Sequence, residues 1–171
     1  AVILATGASH RHLGVKGEEE YRGKGVSYCA TCDGPFFRGK KVVVAGGGDT
    51  ALTDALYLSK LCSTVTIVHR REEFRAQKAL QDKIAKVGNI STVMGRNIVE
   101  IKGDGSSVKE VVLDGGETIE ADGVFVFIGT VPNSSLVEKI AKTENGFVVT
   151  DDSMETTLPG LFASGDVRNT T

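Results

Sequence analysis

No apolar run in the chain approaches 18 residues, so the sequence encodes no helix able to span a bilayer. Neither sign of charge is in excess. Twenty Lys and Arg against 22 Asp and Glu leave a net charge of −2, which offers no global field for nucleic acid or an anionic membrane. Cysteine is scarce, at three residues in 171. That is too few, and odd in number, for a secreted disulfide scaffold, and it reads as an intracellular redox pair plus one spare thiol. A structural metal is not expected. Only Cys62, His10, His12 and His69 could supplement the pair, and none forms a second closely spaced ligand pair with Cys62. The opening, Ala1-Val2-Ile3-Leu4-Ala5-Thr6-Gly7, has no initiator methionine and no basic n-region. It reads as a strand entered in mid-protein, not as a signal peptide.

What is present is ordinary in bulk and specific in detail. The chain is 40% hydrophobic and 25% charged with 21 glycines, suiting a globular domain with many tight turns, alone or with part of another. The β-branched run Lys41-Val42-Val43-Val44-Ala45 predicts a parallel strand buried on both faces. Glycines follow, then a helix over Thr50–Leu61, where Ala51/Ala55 and Leu52/Leu56 repeat at helical spacing. A second strand, Val65–His69, completes the first unit of a doubly wound α/β sheet of Rossmann type. A charged helix is expected from about Glu72 to Lys86.

Residues 90–122 read as strands with hairpin turns at Asp104-Gly105 and Asp114-Gly115-Gly116, an antiparallel meander added to the sheet. Gly123–Gly129 returns as a buried strand. The ends differ from this middle. Residues 1–9 hold a lone strand, and Phe147–Thr150 with Gly160–Ala163 suggest a strand pair around Pro159-Gly160. A helix is expected to begin after Gly165-Asp166. The expected layout is a central domain over 10–130, inserted between pieces of another at 1–9 and 131–171.

Two clusters carry chemistry. Cys29-Ala30-Thr31-Cys32-Asp33 is a pair able to cycle between dithiol and disulfide, with a carboxylate beside it to manage the proton. Gly46-x-Gly48-x-x-Ala51 fits the dinucleotide fingerprint and has the required strand before it and helix after it. A pyrophosphate would lie at that helix N-terminus. At the end of the second strand, where NAD sites place an acid, stand His69-Arg70-Arg71 and then Arg75. Guanidinium groups clamp phosphate, so the finger suits the 2′-phosphate of NADP. Cys62 reads as a small packed side chain in a helix, and His10 and His12 as solvated turn residues. Tyr21 and Tyr28 take no role. Phe36-Phe37, beside the redox pair, divides between core packing and contact with a protein partner.

Assembled, these residues closely resemble the low-molecular-weight thioredoxin reductases, among the two-dinucleotide flavoprotein disulfide reductases. The matching stretches are Ala5-Thr6-Gly7-Ala8, Gly14–Glu18, Cys29–Gly34 and Gly46-Gly47-Gly48-Asp49-Thr50-Ala51. They continue with His69-Arg70-Arg71-x-x-Phe74-Arg75-Ala76, Ile128-Gly129-x-x-Pro132-Asn133 and Pro159–Arg168. Lys16 departs from the family's frequent proline.

The resemblance implies a relay from NADPH to FAD, then to the dithiol, then to thioredoxin, in a cytoplasmic homodimer. It implies that Cys32 faces the flavin, Cys29 attacks the thioredoxin disulfide and Asp33 protonates the departing thiolate. Residues 46–51, His69, Arg70, Arg71 and Arg75 would hold NADPH, Asp166 would hydrogen-bond the flavin ribityl chain, and Gly129 and Gly165 would also bind cofactor. The family's first glycine fingerprint is absent from these 171 residues, so the FAD site is expected to be incomplete and the chain alone inactive. The nearest alternative is the flavoprotein reductase of alkyl-hydroperoxide systems, which usually has proline where Ala30 stands. A ferredoxin-fed relative would lack the arginines, and a non-catalytic NADP-binding module would have structural cysteines.

Overall fold

The computed structural model describes residues 1–141 and 143–168. Two three-residue strands open the chain, β1 (Val2–Leu4) and β2 (Ala8–His10), followed by β3 (Val26–Ser27). Helix α1 (Ala30–Asp33) leads through a 3-10 turn (Gly34–Phe37) into β4 (Lys41–Ala45) and helix α2 (Asp49–Leu58). Next come β5 (Thr64–His69), helix α3 (Lys78–Ile84) and β6 (Ile90–Met94). Strands β7 (Ile98–Gly103), β8 (Val108–Leu113), β9 (Thr118–Glu120) and β10 (Gly123–Val126) follow. The remainder holds β11 (Thr130–Pro132), β12 (Thr143–Glu144), β13 (Phe147–Val148), β14 (Leu161–Ala163) and a 3-10 turn at Gly165–Val167. The chain divides into two compact units, His12–Ile128 and Ala1–Arg11 with the residues from Gly129 on.

The larger unit is organised by β4. Its side chains alternate across the strand and both faces are buried, so each valine meets a different layer. Val42 and Val44 pack with Ala51, Leu52, Ala55 and Leu58 of α2 and with Phe125. Val43 and Ala45 pack instead with Ile98, Ile101, Val108, Val111 and Leu113. The sheet runs β3-β10-β4-β5-β6, parallel throughout. Ala30 of α1 and Ile84 of α3 join the same core as α2, so all three helices lie on one face. The other face is covered by the antiparallel sheet β7-β8-β9. The expected meander is present, but it replaces the second helical layer that a doubly wound sheet would carry. Its inward apolar residues (Ile98, Ile101, Val108, Val111 and Leu113), brought to one face across two register shifts in the β7–β8 pairing, make that possible.

Helix α3 is shorter than the expected span from Glu72. The backbone N–H groups of Arg75 and Ala76 donate to Gly47 O, at 2.8 and 3.2 Å, in place of helical bonds. Phe74 stacks on the His69 ring, 5.9 Å between centroids. Helix α2 ends at Leu58, three residues before the expected Leu61. Cys62 therefore sits in the following turn, 5% exposed in the core, with its N–H on Leu58 O at 2.8 Å.

Residues 12–28 form a cradle around one buried carboxylate. Glu18, 2% exposed, accepts the N–H groups of Leu13 at 2.9 Å and Gly14 at 2.7 Å, and the Tyr28 hydroxyl at 2.8 Å. Burial first, and then this bond, raise the Tyr28 pKa. His12, read from sequence as solvated, lies 3.0 Å from the same hydroxyl and 3.2 Å from Glu19. Glu18→Ala strands three donors, and hydrogen bonds to a charged group are worth 1.5–3 kcal/mol each, so destabilisation of about 3 kcal/mol or more is expected. Glu18→Gln, which keeps one acceptor, should lose roughly half of that. Urea midpoints of the two variants against the parent check the ranking.

In the smaller unit β1 pairs in parallel with β14, and Leu4, Leu161, Ala163, Val148 and Val167 share a core. The expected pairing of Phe147–Thr150 with Gly160–Ala163 does not form. Strand β13 instead turns back on β12 through Asn145-Gly146, both at positive φ (51° and 89°), as a two-residue hairpin requires. Each segment instead bridges the stretch between them, Thr150 to Thr156 and Phe162 to Glu155. Asn133 fastens the loop after β1: its side-chain NH₂ donates to Thr6 O at 2.9 Å, and its N–H to Gly7 O at 3.0 Å.

Candidate functional site

The redox pair is built by β3 and α1. Strand β3 lies on the sheet edge beside β10, with Ser27 opposite Phe125. Two residues on, Cys29 is the N-cap of α1, and its Sγ is bonded to that of Cys32, with the two Cα atoms 5.3 Å apart. One helical turn places positions three apart on the same side, so the sulfurs meet. Cys29 Sγ also accepts the Cys32 N–H at 3.2 Å, a contact that favours thiolate at Cys29 once the disulfide opens. Cys29 is half-buried and Cys32 exposed.

Asp33 ends α1, and its Oδ2 accepts the Ser27 hydroxyl at 2.6 Å. The same Ser27 oxygen accepts the Cys29 N–H at 3.1 Å. Ser27 is buried, and sequence reasoning did not single it out. The available signal was a serine two residues before a helix-capping position, where its hydroxyl can close a local turn onto the N–H two residues on. Phe37 is core, edge-on to Phe125 at 5.2 Å, whereas Phe36 is 73% exposed. The two readings of that dipeptide thus divide between its residues.

The glycine loop joins β4 to α2. Gly46 has φ +146°, and a Cβ there would lie 2.3 Å from Phe127 O. A Cβ on Gly47 would strike the His69 ring at 2.5 Å. Gly48 faces open space and caps α2 without a side-chain hydrogen bond. The leading N–H groups of a ten-residue helix are therefore left for an anion from outside. Ala51 is fully buried against the strand, the small third residue of the fingerprint.

The finger residues separate into two kinds. His69 is 8% exposed and packed beneath Gly47, and its Nε2 makes no hydrogen bond among the described residues. Burial, then Arg71 and Arg70, lower its pKa, and a backbone bond with Glu73 only partly opposes them. It is a neutral support for the loop, not a fourth cation. Arg70, Arg71 and Arg75 are exposed, and none is ion-paired among the described residues. Asp49 turns its carboxylate to Gln77, while Thr50 is exposed at the helix start.

The structure thus gathers Cys29, Cys32 and Asp33 into one cluster, and residues 46–51 with His69–Arg75 into another. Gly34, just after the redox pair, packs on Leu58 and Tyr57 at the C-terminal end of α2, whereas the glycine loop caps its N-terminal end. Gly129, Gly165 and Asp166 belong to the smaller unit. Gly129 O accepts the Arg11 N–H at 2.9 Å, and Gly165-Asp166 opens a short 3-10 turn after β14, while the helix expected beyond it falls on 169–171, outside the described residues. Among the described residues no group of three or more His, Cys, Asp or Glu is placed to hold a metal. None of their helices is long and apolar enough to cross a membrane.

Compared with known proteins, the chain matches the pyridine nucleotide-disulphide oxidoreductase family over residues 1–171. It is 49% identical over 174 residues to a thioredoxin reductase of Listeria innocua, covering 98% of this chain and 54% of that one. A thioredoxin reductase of Treponema pallidum is 49% identical over 173 residues, covering 98% and 56%. The crystal structure of Lactococcus lactis thioredoxin reductase in its FR conformation superposes with a TM-score of 0.90 at 43% identity. It covers 100% of this chain and 58% of that one. The chain spans about half the length of the relatives it matches.

Proposed function

Since the chain belongs to the pyridine nucleotide-disulphide oxidoreductase family, we propose that it is the NADPH- and dithiol-bearing part of a thioredoxin-disulfide reductase. In this reading the Cys29–Cys32 disulfide would receive the electrons of NADPH by way of FAD, and the dithiol reduces thioredoxin. One observation carries it: a redox disulfide backed by an acid shares a unit with a glycine loop flanked by three arginines that make no ion pair among the described residues.

The residues present fit the nucleotide. The open side of Gly48 and the N-terminus of α2 suit the pyrophosphate, and Arg70, Arg71 and Arg75 suit the 2′-phosphate. FAD supplies the passage from a two-electron hydride to a dithiol, and Gly129, Gly165 and Asp166 are this chain's candidates for holding it.

At the dithiol, the Cys29 thiolate, favoured by the Cys32 N–H, attacks the thioredoxin disulfide and releases one of its thiolates, which Asp33 protonates. Cys32 gives up its proton and displaces the second thioredoxin sulfur, which takes that proton up by way of Asp33, restoring the Cys29–Cys32 bond and leaving thioredoxin with two thiols. Ser27 holds the Asp33 carboxylate in place for this step. Phe36 and its surroundings suit the partner contact. A homodimer in the cytoplasm completes the reading, as the likeness to thioredoxin reductases suggests.

The test uses the full-length protein saturated with FAD. NADPH oxidation should depend on added oxidised thioredoxin and fall sharply when NADH replaces NADPH. NADPH oxidation indifferent to thioredoxin would refute the assignment.

A further inference from the structure

We infer that Asp49 is a positioning residue for the 2′-phosphate clamp. Its carboxylate fixes the arginine segment onto the glycine loop and thereby sets the preference for NADPH over NADH. The inference rests on the nucleotide reading above and concerns how that site is held together.

The segment from Arg70 to Gln77 has no regular structure, yet both of its ends are pinned. At the start, His69 O and Arg71 O accept the N–H groups of Arg96 and Gly95, each at 3.1 Å. At the end, Gly47 O accepts the N–H groups of Arg75 and Ala76. One residue later the anchor is a side chain. Asp49 Oδ1 accepts the Gln77 N–H at 2.7 Å, and Oδ2 accepts Gln77 Nε2 at 3.3 Å, across 28 residues of sequence. Gln77 is also the N-cap of α3 and has no capping side chain of its own.

This arrangement has a chemical consequence. The two phosphate sites of an NADP molecule are separated by one adenosine ribose, so their offset in the ligand is fixed. A protein that reads both must hold its arginines at a fixed offset from its pyrophosphate loop. Here Gly47 and Asp49, both in or bordering that loop, anchor the segment that carries Arg75. Exposed arginine side chains lose rotamer freedom on binding, and a pinned backbone limits the further loss. The carboxylate also has both oxygens engaged by Gln77 donors, so it does not stand free where an anion arrives. Removing it should loosen the clamp and leave the glycine loop, held by Phe127, His69 and Val68, where it is.

The experiment measures binding by calorimetry to the full-length protein, using adenosine 2′,5′-bisphosphate and 5′-AMP as probes. NADPH and NADH steady-state kinetics run in parallel. Asp49→Ala should weaken 2′,5′-bisphosphate binding about five- to tenfold, the scale of one net hydrogen bond, and 5′-AMP by less than about twofold. KM for NADPH should rise by the same factor with kcat held. Asp49→Asn, which still presents an oxygen to the Gln77 N–H, should recover most of the loss. If the alanine variant does not fold, Asp49→Ser serves, since it replaces the two carboxylate oxygens that Gln77 meets with a single, shorter-reaching neutral oxygen.

Equal losses for both probes, no loss for either, or an asparagine variant as weak as alanine would each overturn the inference. If the parent protein itself fails to prefer the 2′,5′-bisphosphate, the nucleotide reading fails and takes this one with it. If that preference stands and survives Asp49→Ala unchanged, only the positioning role falls.

Discussion

Serine in place of either cysteine of the pair should lower thioredoxin reduction by the full-length protein at least about a thousandfold, as loss of a covalent nucleophile does elsewhere. A single sulfur cannot store two electrons as a disulfide, so turnover needs both. The two variants should nevertheless differ. With Cys32 replaced, Cys29 keeps its thiol and the backbone N–H at position 32, which favours the thiolate. It can attack a thioredoxin reduced to one cysteine and activated there as an aryl mixed disulfide, and no second thiol then remains on either protein to release the partner. A stable mixed disulfide should therefore accumulate in the Cys32→Ser variant and not in Cys29→Ser. Intact mass would show it as one added thioredoxin.

Cys62 will not confuse the result. It is buried and its pKa is pushed up to about 11, so at pH 8 only about one molecule in a thousand carries the thiolate there. NADPH affinity should stay within about twofold in both variants, because no hydrogen bond joins the cysteine cluster to the glycine loop among the described residues. Equal trapping by the two variants would sink the division of roles. Retained turnover would sink the dithiol mechanism altogether.

The parts of this site that sequence revealed are those whose chemistry is local. Val42–Ala45 announces a strand buried on both faces, and Gly46, Gly48 and Ala51 announce the turn and the helix behind it. The pair Cys29 and Cys32 needs only its own spacing. What sequence concealed depends on distant partners. The charge-rich stretch Glu72–Gln77 has helical composition, but Gly47 O takes the N–H groups of Arg75 and Ala76, and α3 starts only at Lys78. Strand β3 is two residues long and exists because β10 offers it an edge. Ser27 inherits its place from that pairing. Likewise β1 finds its partner β14 at the other end of the chain, a pairing with no local periodicity to betray it. The hairpin at Asn145-Gly146 was legible in principle, since that dipeptide favours the two positive φ values it adopts.

Arg70→Ala combined with Arg71→Ala should weaken NADPH binding at least about a hundredfold. Each guanidinium can donate a charge-assisted pair to the 2′-phosphate, worth about 1.5–3 kcal/mol. NADH, which lacks that phosphate, should lose less than about threefold. The arginines are exposed and make no ion pair among the described residues. Their removal therefore breaks no internal contact of that kind, and stability should barely change. Raising ionic strength should erode NADPH affinity in the parent and have little effect in the double variant.

The pH dependence has a definite sign. Arginine stays charged throughout, while a phosphate monoester gains a proton near pH 6. NADPH binding should therefore weaken as pH falls through that value. His69 will not compensate, because burial and the neighbouring arginines hold its pKa below the ordinary 6.5. A depressed folded pKa also means that its contribution to stability is full above 6.5. It is lost as pH falls from there through the lowered folded value, because the unfolded chain takes up the proton first. Were His69 a fourth cation of the clamp, lowering the pH from 7 to 6 would tighten NADPH binding. Equal losses of NADPH and NADH in the double variant, or tighter NADPH binding at pH 6, would remove the arginine clamp from the site.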